Sequence, residues 1–170
     1  MDKVNDFKTD LEHSHDEETN KAFDAFYMSY FPMAESVEFI TDLEMQKMGI
    51  DKIIRLSNRG RITIDEKVRR TDYDDILIEY WSNFEEKKLG WIYYSRCDFI
   101  MYANNKNFYM LPFRLMQLAW KRHSTEWRKK YNLPPAKNNG YETHNVAVPI
   151  KVLLDAIRDE MIHTMTEVRK

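Results

Sequence analysis

The run GIDKIIRLSNRGRITIDEKVRR over residues 49–70 constrains this chain more than any other segment. Residues 50–56 and 61–68 are rich in β-branched side chains and flank Ser57-Asn58-Arg59-Gly60, a hairpin signal. Side chains alternate along a strand, so Thr63, Asp65, Lys67 and Arg69 share one face and Ile62, Ile64, Glu66 and Val68 the other. The antiparallel return brings Asp51 into the neighbourhood of Asp65, subject to register. Two acids and a lysine gathered by one hairpin are the minimal parts of a divalent-metal phosphodiesterase centre. In that chemistry carboxylates hold Mg²⁺ or Mn²⁺, and a lysine holds the nucleophile or the transition-state charge. Glu66 is the awkward member, because regular alternation places it among apolar residues, where an unpaired carboxylate is costly. Either a bulge turns it toward the metal as a third ligand, or it pairs with a buried arginine.

Charge is unevenly spread along the chain. Residues 1–51 hold 4 Lys/Arg against 13 Asp/Glu, whereas residues 52–70 hold 7 against 2. The basic segment surrounds Asp65 and Glu66, so a polyanion drawn to it meets carboxylates. Arg55, Arg59, Arg61, Arg69 and Arg70 are the candidate phosphate contacts, and ordinary surface charge is the plain alternative.

The remaining pattern bounds the fold. With 170 residues and 43% hydrophobic content, one domain with a real core is expected over residues 16–170, after a flexible segment over 1–15. Ser14 and Glu17 make a capping box, and Ala22, Phe23, Phe26, Tyr27 and Tyr30 recur at helical spacing up to Pro32. Further strands are predicted over 76–81, 91–94, 98–103 and 108–111, and a short apolar run over 146–148. Pro112 opens a helix striped by Leu115, Met116, Ala119, Trp120, His123 and Trp127. Residues 133–145 read as a Pro/Asn/Gly-rich loop, and Pro149 opens a last helix. The order predicts an α/β or α+β layer fold around one sheet. Cys97 is the single cysteine, so no internal disulfide can form and a reducing cytoplasm is the expected setting. The N-terminus is charged rather than apolar, and no apolar run approaches the roughly 20 residues that span a bilayer.

The residues Gly49-Ile50-Asp51, followed by Asp65-Glu66-Lys67, resemble the PD-(D/E)XK nuclease superfamily. Gly49-Ile50 stands where many members have a proline before the first acid, and Asp65-x-Lys67 fits the (D/E)-x-K element. The likeness extends to phage- or prophage-type members through Asp75-Ile-Leu-Ile-Glu79-Tyr-Trp-Ser, Gly90-Trp91-Ile92, Cys97-Asp98-Phe-Ile-Met-Tyr102, Leu111-Pro112-Phe113 and Asn138-Asn139-Gly140-Tyr141. It implies a restriction-endonuclease-like core, a central mixed sheet flanked by helices. It also implies Mg²⁺-dependent hydrolysis of DNA, with Asp51, Asp65, Glu66 and Lys67 as the centre and Asp51 and Asp65 on the metal. The acid that members carry on the first helix falls best on Asp24, with Glu17 or Glu18 as alternatives.

Other residues divide between functional and plain readings. Glu79 lies in an apolar run and either orients Lys67 or a metal-bound water, or is an edge carboxylate paired to an arginine. Gln46 either reaches the same end of the sheet or is a surface glutamine. Lys137 and Asn139, in a loop with a flexible glycine, either grip a substrate strand or make a turn. On the helix after Pro112, Arg114, Lys121, Arg122, Arg128, Lys129 and Lys130 accompany Trp120 and Trp127; the tryptophans read as core and the basic face is left open to phosphate. The leading expectation is a small DNA nuclease, with self-association into a homodimer left open. Its rival is a catalytically silent nuclease-fold protein that binds nucleic acid or a protein partner.

Overall fold

The computed structural model describes residues 17–69, 72–104 and 106–167, with side chains from residue 20 to residue 166. The expected flexible segment, the Ser14–Glu17 capping box, Arg70 and the side chains of Glu17 and Glu18 lie outside the described residues.

The chain opens with α1 (Glu17–Tyr30), β1 (Ala34–Phe39) and α2 (Leu43–Lys47), and continues into the hairpin β2 (Lys52–Leu56) and β3 (Arg61–Val68). Next come β4 (Asp75–Asn83), β5 (Lys88–Leu89), α3 (Trp91–Tyr94), β6 (Phe99–Ala103), β7 (Phe108–Pro112) and α4 (Phe113–Lys130). The last elements are β8 (Ala136–Lys137), β9 (Glu142–Pro149) and α5 (Ile150–Glu167). The class is mixed α+β, but the strands form two sheets where the pattern predicts one. Five strands lie in the order β1-β2-β3-β6-β7 and four in the order β5-β4-β9-β8. Within the first sheet β3 and β6 are parallel and the other pairs antiparallel, so that sheet is mixed.

Period-2 alternation decides what each face of the first sheet buries. Ile54, Ile64, Met101 and Ala103 meet Phe23 and Tyr27 of α1. Ile100, Tyr102 and Leu111 face the other way and join Ile76, Ile78, Val146 and Val148 of the second sheet, with Trp120 and Trp127 of α4 and Leu153 and Ile157 of α5. The tryptophans are therefore core residues. Among the described residues no helix is long and apolar enough to cross a membrane.

Two segments depart from the expected local structure. Trp91–Tyr94 is a single helical turn rather than a strand. Gly90, just before it, passes so close to β4 that an added Cβ would lie 2.3 Å from the Glu79 carbonyl oxygen. The predicted loop over 133–145 contains β8 and the first residues of β9, whose polar side chains hide a strand that pairs with β4 from Asp75↔Pro149 to Trp81↔His144.

Candidate active site

Asp51 sits at the entrance to β2, where its backbone N–H donates to the Ile64 carbonyl at 2.8 Å. Its carboxylate accepts the Glu66 backbone N–H at 2.8 Å. One residue earlier on β3, Asp65 is 0% exposed and ion-pairs with the Lys67 ammonium. Ser95 Oγ stands 3.2 Å from Asp65 Oδ2 and 3.3 Å from the Gly49 carbonyl oxygen. β3 runs beside β6 in unbroken register from Ile64 to Val68, so no bulge rotates Glu66 toward Asp65. The hairpin thus brings Asp51, Asp65 and Lys67 together, while Glu66 projects toward α1.

Electrostatics distinguish these groups. Burial, reinforced by the Asp51 carboxylate, raises the Asp65 pKa to about 6 against the pull of Lys67. Burial alone lowers that of Lys67, but the attraction of Asp65 and Asp51 overcomes it, and the ammonium is held charged above the ordinary lysine value. The Lys67 side chain is 30% exposed and lies 5.9 Å from the centroid of the Trp91 ring, so the centre opens to solvent on this side.

On the opposite face of the hairpin lies a second charged group that the sequence pattern did not single out. Lys52 is 2% exposed, and its ammonium stands 2.6 Å from Asp24 Oδ1 and 3.3 Å from Glu66 Oε1. The buried Tyr27 hydroxyl donates to Glu66 Oε1 at 2.6 Å. Glu66 therefore pairs with a lysine and a tyrosine, not an arginine. Burial raises the Glu66 pKa against these partners. Alternation pairs Lys52 with Ile54 on a buried face, and that was the available signal. Asp24, the expected helix acid, reaches this group and not the Asp65 side.

The remaining candidates are dispersed. Glu79 accepts the Trp91 backbone N–H at 3.3 Å, and burial raises its pKa. Gln46 donates its side-chain amide to the Ile40 carbonyl, a structural tie at the sheet end. Arg55 is paired bidentately with Glu38, and Arg69 pairs with Asp75 over the Tyr73 ring. Arg59 and Arg61 are exposed at the turn end of the hairpin, Arg59 with φ 65°. Four residues of strand separate Arg61 from Asp65, about 13 Å at the usual rise. The basic segment therefore flanks the acids at two ends and does not ring them. Asn139 and Lys137 are exposed beside Gly140, where φ is +89° and an added Cβ would meet nothing within 4 Å. On α4, Arg122 pairs with Glu160, and Arg128 covers the Tyr80 ring.

Gly49 is required twice over. Its φ is +66°, and an added Cβ would meet Ser95 Oγ at 2.4 Å and Asp65 Oδ2 at 2.8 Å. Gly49→Ala is expected to cost about 2 kcal/mol through backbone strain and overpacking. A chemical-denaturation midpoint unchanged from the parent would contradict this contact.

Among the described residues no three His, Cys, Asp or Glu side chains gather as a metal-holding group. Two carboxylates do meet, and burial first and the Asp51 charge after it raise the pKa of Asp65. That donor set fits Mg²⁺, which commonly takes one or two carboxylates and completes its octahedron with waters and substrate phosphate. No family model matches the chain, and no curated protein or solved structure is significantly similar to it.

Proposed function

We propose that the chain is a metal-dependent nuclease of the PD-(D/E)XK type that hydrolyses DNA phosphodiester bonds at Asp51, Asp65 and Lys67. The carrying observation is the Lys67 ammonium on the Asp65 carboxylate with Asp51 beside it, all delivered by one hairpin. The chain order supports the reading as well. The mixed sheet, with β1, β2 and β3 antiparallel, β6 parallel to β3 and α1 packed on one face, is compatible with the restriction-endonuclease-like core the resemblance implies, with α2 and the segment from β4 to α3 intervening in the chain.

Mg²⁺ or Mn²⁺ held by Asp51 and Asp65 would polarise the scissile phosphate and acidify an attacking water. Lys67 does a different job. Held as a cation, it donates hydrogen bonds and positive charge to the water or to the developing phosphorane oxygens, and does not act as a base. The Glu66 backbone N–H fixes the Asp51 carboxylate, and Ser95 lies against Asp65, so both acids are oriented before substrate arrives. The test is incubation with duplex and single-stranded DNA and RNA in Mg²⁺, in Mn²⁺ and in EDTA. Cutting in the first two and none in EDTA is expected.

One observation favours the silent rival. Asp65 is fully buried and both its oxygens already have partners, Lys67 and Ser95. In that reading Mg²⁺ neither shifts the melting temperature nor induces cutting, and nucleic-acid binding alone survives.

Arg59 and Arg61 give the phosphate contacts a separate readout. Replacing both by Ala is expected to weaken DNA binding across sequences and reduce the logarithmic salt slope by about 2. An unchanged slope in a salt titration would show that DNA does not run along the hairpin.

A further inference from the structure

The second sheet turns Ile76, Ile78, Val146 and Val148 to the core and Leu77, Glu79, Thr143 and Asn145 to the other side. On that side lies a cleft of about 650 Å³, a volume typical of small-ligand sites. Its floor is β4 and β9. The β5 segment walls one flank, and the turn carrying Asn138 and Tyr141 walls the other. Tyr94, from α3, also lines it.

The cleft adjoins the acid–lysine centre. Glu79, on its floor, accepts the Trp91 N–H, and the Trp91 ring lies under the Lys67 ammonium. The strand register shifts between Glu79 and Trp81, where Glu79 stands opposite Asn145. Bulges of this kind re-aim side chains beside active sites.

The lining chemistry selects the occupant. Lys88 is the lone lysine among the lining residues, against Glu79 and Glu86, so the cleft is not built for phosphate. What it offers instead is flat rings and neutral amides. Among the described residues the Asn145 amide and the Tyr94 and Tyr141 hydroxyls make no hydrogen bond to protein, and Asn138 commits only its amide nitrogen, to Thr143 and Ala136. Amide pairs read the donor and acceptor edge of a base, and aromatic rings stack on its face.

We infer that this cleft receives an unpaired nucleobase next to the scissile phosphate, so that the substrate is single-stranded or open-ended nucleic acid and not an intact duplex. The inference rests on the nuclease reading for the word scissile, but not for binding. A base inside a duplex cannot enter such a cleft without being extruded, whereas a single strand presents it directly.

The test uses the full chain in EDTA, where nothing is cut. The probe is a short DNA single strand carrying one 2-aminopurine, compared with the same strand in a duplex. Binding is read by anisotropy and base stacking by 2-aminopurine quenching. The expected result is quenching with the single strand and affinity for it at least about tenfold above the duplex. Tyr141→Ala is expected to lose about tenfold in single-strand affinity, in the range of one stacked base, and Tyr141→Phe only the smaller share carried by the hydroxyl, whereas Asn145→Ala is expected to lose about tenfold through its hydrogen bonds to the base edge. Thermal melts confirm that each variant is folded, and the two alanine changes lie on different elements, so one remains informative if the other unfolds. Equal affinity for duplex and single strand, or folded alanine variants that bind and quench like the parent, would overturn the cleft assignment. Base binding through the cleft with no cutting in Mg²⁺ would uphold it and defeat the nuclease reading. Duplex cutting with neutral cleft variants would do the reverse.

Discussion

Asp65→Asn is expected to abolish metal-dependent cutting and, at the same time, to raise the melting temperature of the metal-free protein. The activity loss follows from removing one of two anionic ligands, on the order of 10³-fold or more in rate. The stability gain has the opposite origin. The Asp65 pKa is raised from 3.8 to about 6 in the fold, first by burial and then by Asp51. A carboxyl with a raised folded pKa stabilises the protein below its unfolded pKa. That contribution is lost as pH rises through the folded value, here between about 4 and about 6. Above pH 7 the ionised group is a liability of about 3 kcal/mol, and the neutral amide recovers about 2 of it, because Lys67 then keeps only Asp51 as its counter-ion. A rise of about 5 °C in EDTA at pH 7.5 is expected for a chain of this size, and it should shrink to nothing near pH 4. Mg²⁺ should reverse the order by raising the parent's melting temperature and not the variant's. Melts across this pH range, with and without Mg²⁺, read both signs. A folded Asp65→Asn protein that still cuts at the parent rate would remove Asp65 from the centre.

Lys52→Ala is expected to destabilise the protein by about 3 kcal/mol, lowering its melting temperature by roughly 10 °C. Lys52 is the cation between Asp24 and Glu66, and the two acids differ in exposure. Asp24 is 44% exposed and can turn to water, whereas the Glu66 side chain is 11% exposed and keeps only Tyr27. Removing the lysine therefore leaves a carboxylate inside an apolar layer of Phe23, Ile54 and Ile64. The double change Lys52→Met with Glu66→Gln should recover much of the loss, because no uncompensated charge remains. Glu66→Gln alone should lower stability and spare turnover, since it is the backbone of Glu66 that holds Asp51. Urea unfolding of the three variants, with single-turnover cleavage on each, separates these effects. A Glu66→Gln protein as stable as the parent but unable to cut would place the Glu66 carboxylate in the chemistry.

The local pattern was a good guide wherever a period was repeated. The β2–β3 hairpin falls over the predicted residues, because a short Gly-containing turn between β-branched runs leaves little choice. The same period of 2 separated Asp65 and Lys67 from Glu66, and the unbroken register with β6 keeps them apart. The apolar stripe that predicted the helix after Pro112 is buried along α4 at Met116, Ala119, Trp120 and Trp127. Where side chains were short, polar or aromatic without alternation, the pattern failed. β9 begins with Glu142-Thr143-His144-Asn145, which reads as loop until β4 supplies its hydrogen bonds. Trp91–Tyr94 carries strand-forming aromatics but takes one helical turn beside the tight approach of Gly90 to β4.

Sequence by itself determined which side chains point together, because direction along a strand or helix is a local property of the backbone. Only the tertiary structure decided which charges are compensated. Lys52 looks like a surface lysine until α1 brings Asp24 to it across 28 positions, and Ser95 gains meaning when β3 places Asp65 against it across 30. Arg55 and Arg69 look free for phosphate until Glu38 and Asp75 are folded onto them. The cost of burying an ion is set by the groups within a few ångströms of it, and chain folding, not sequence neighbourhood, chooses those groups.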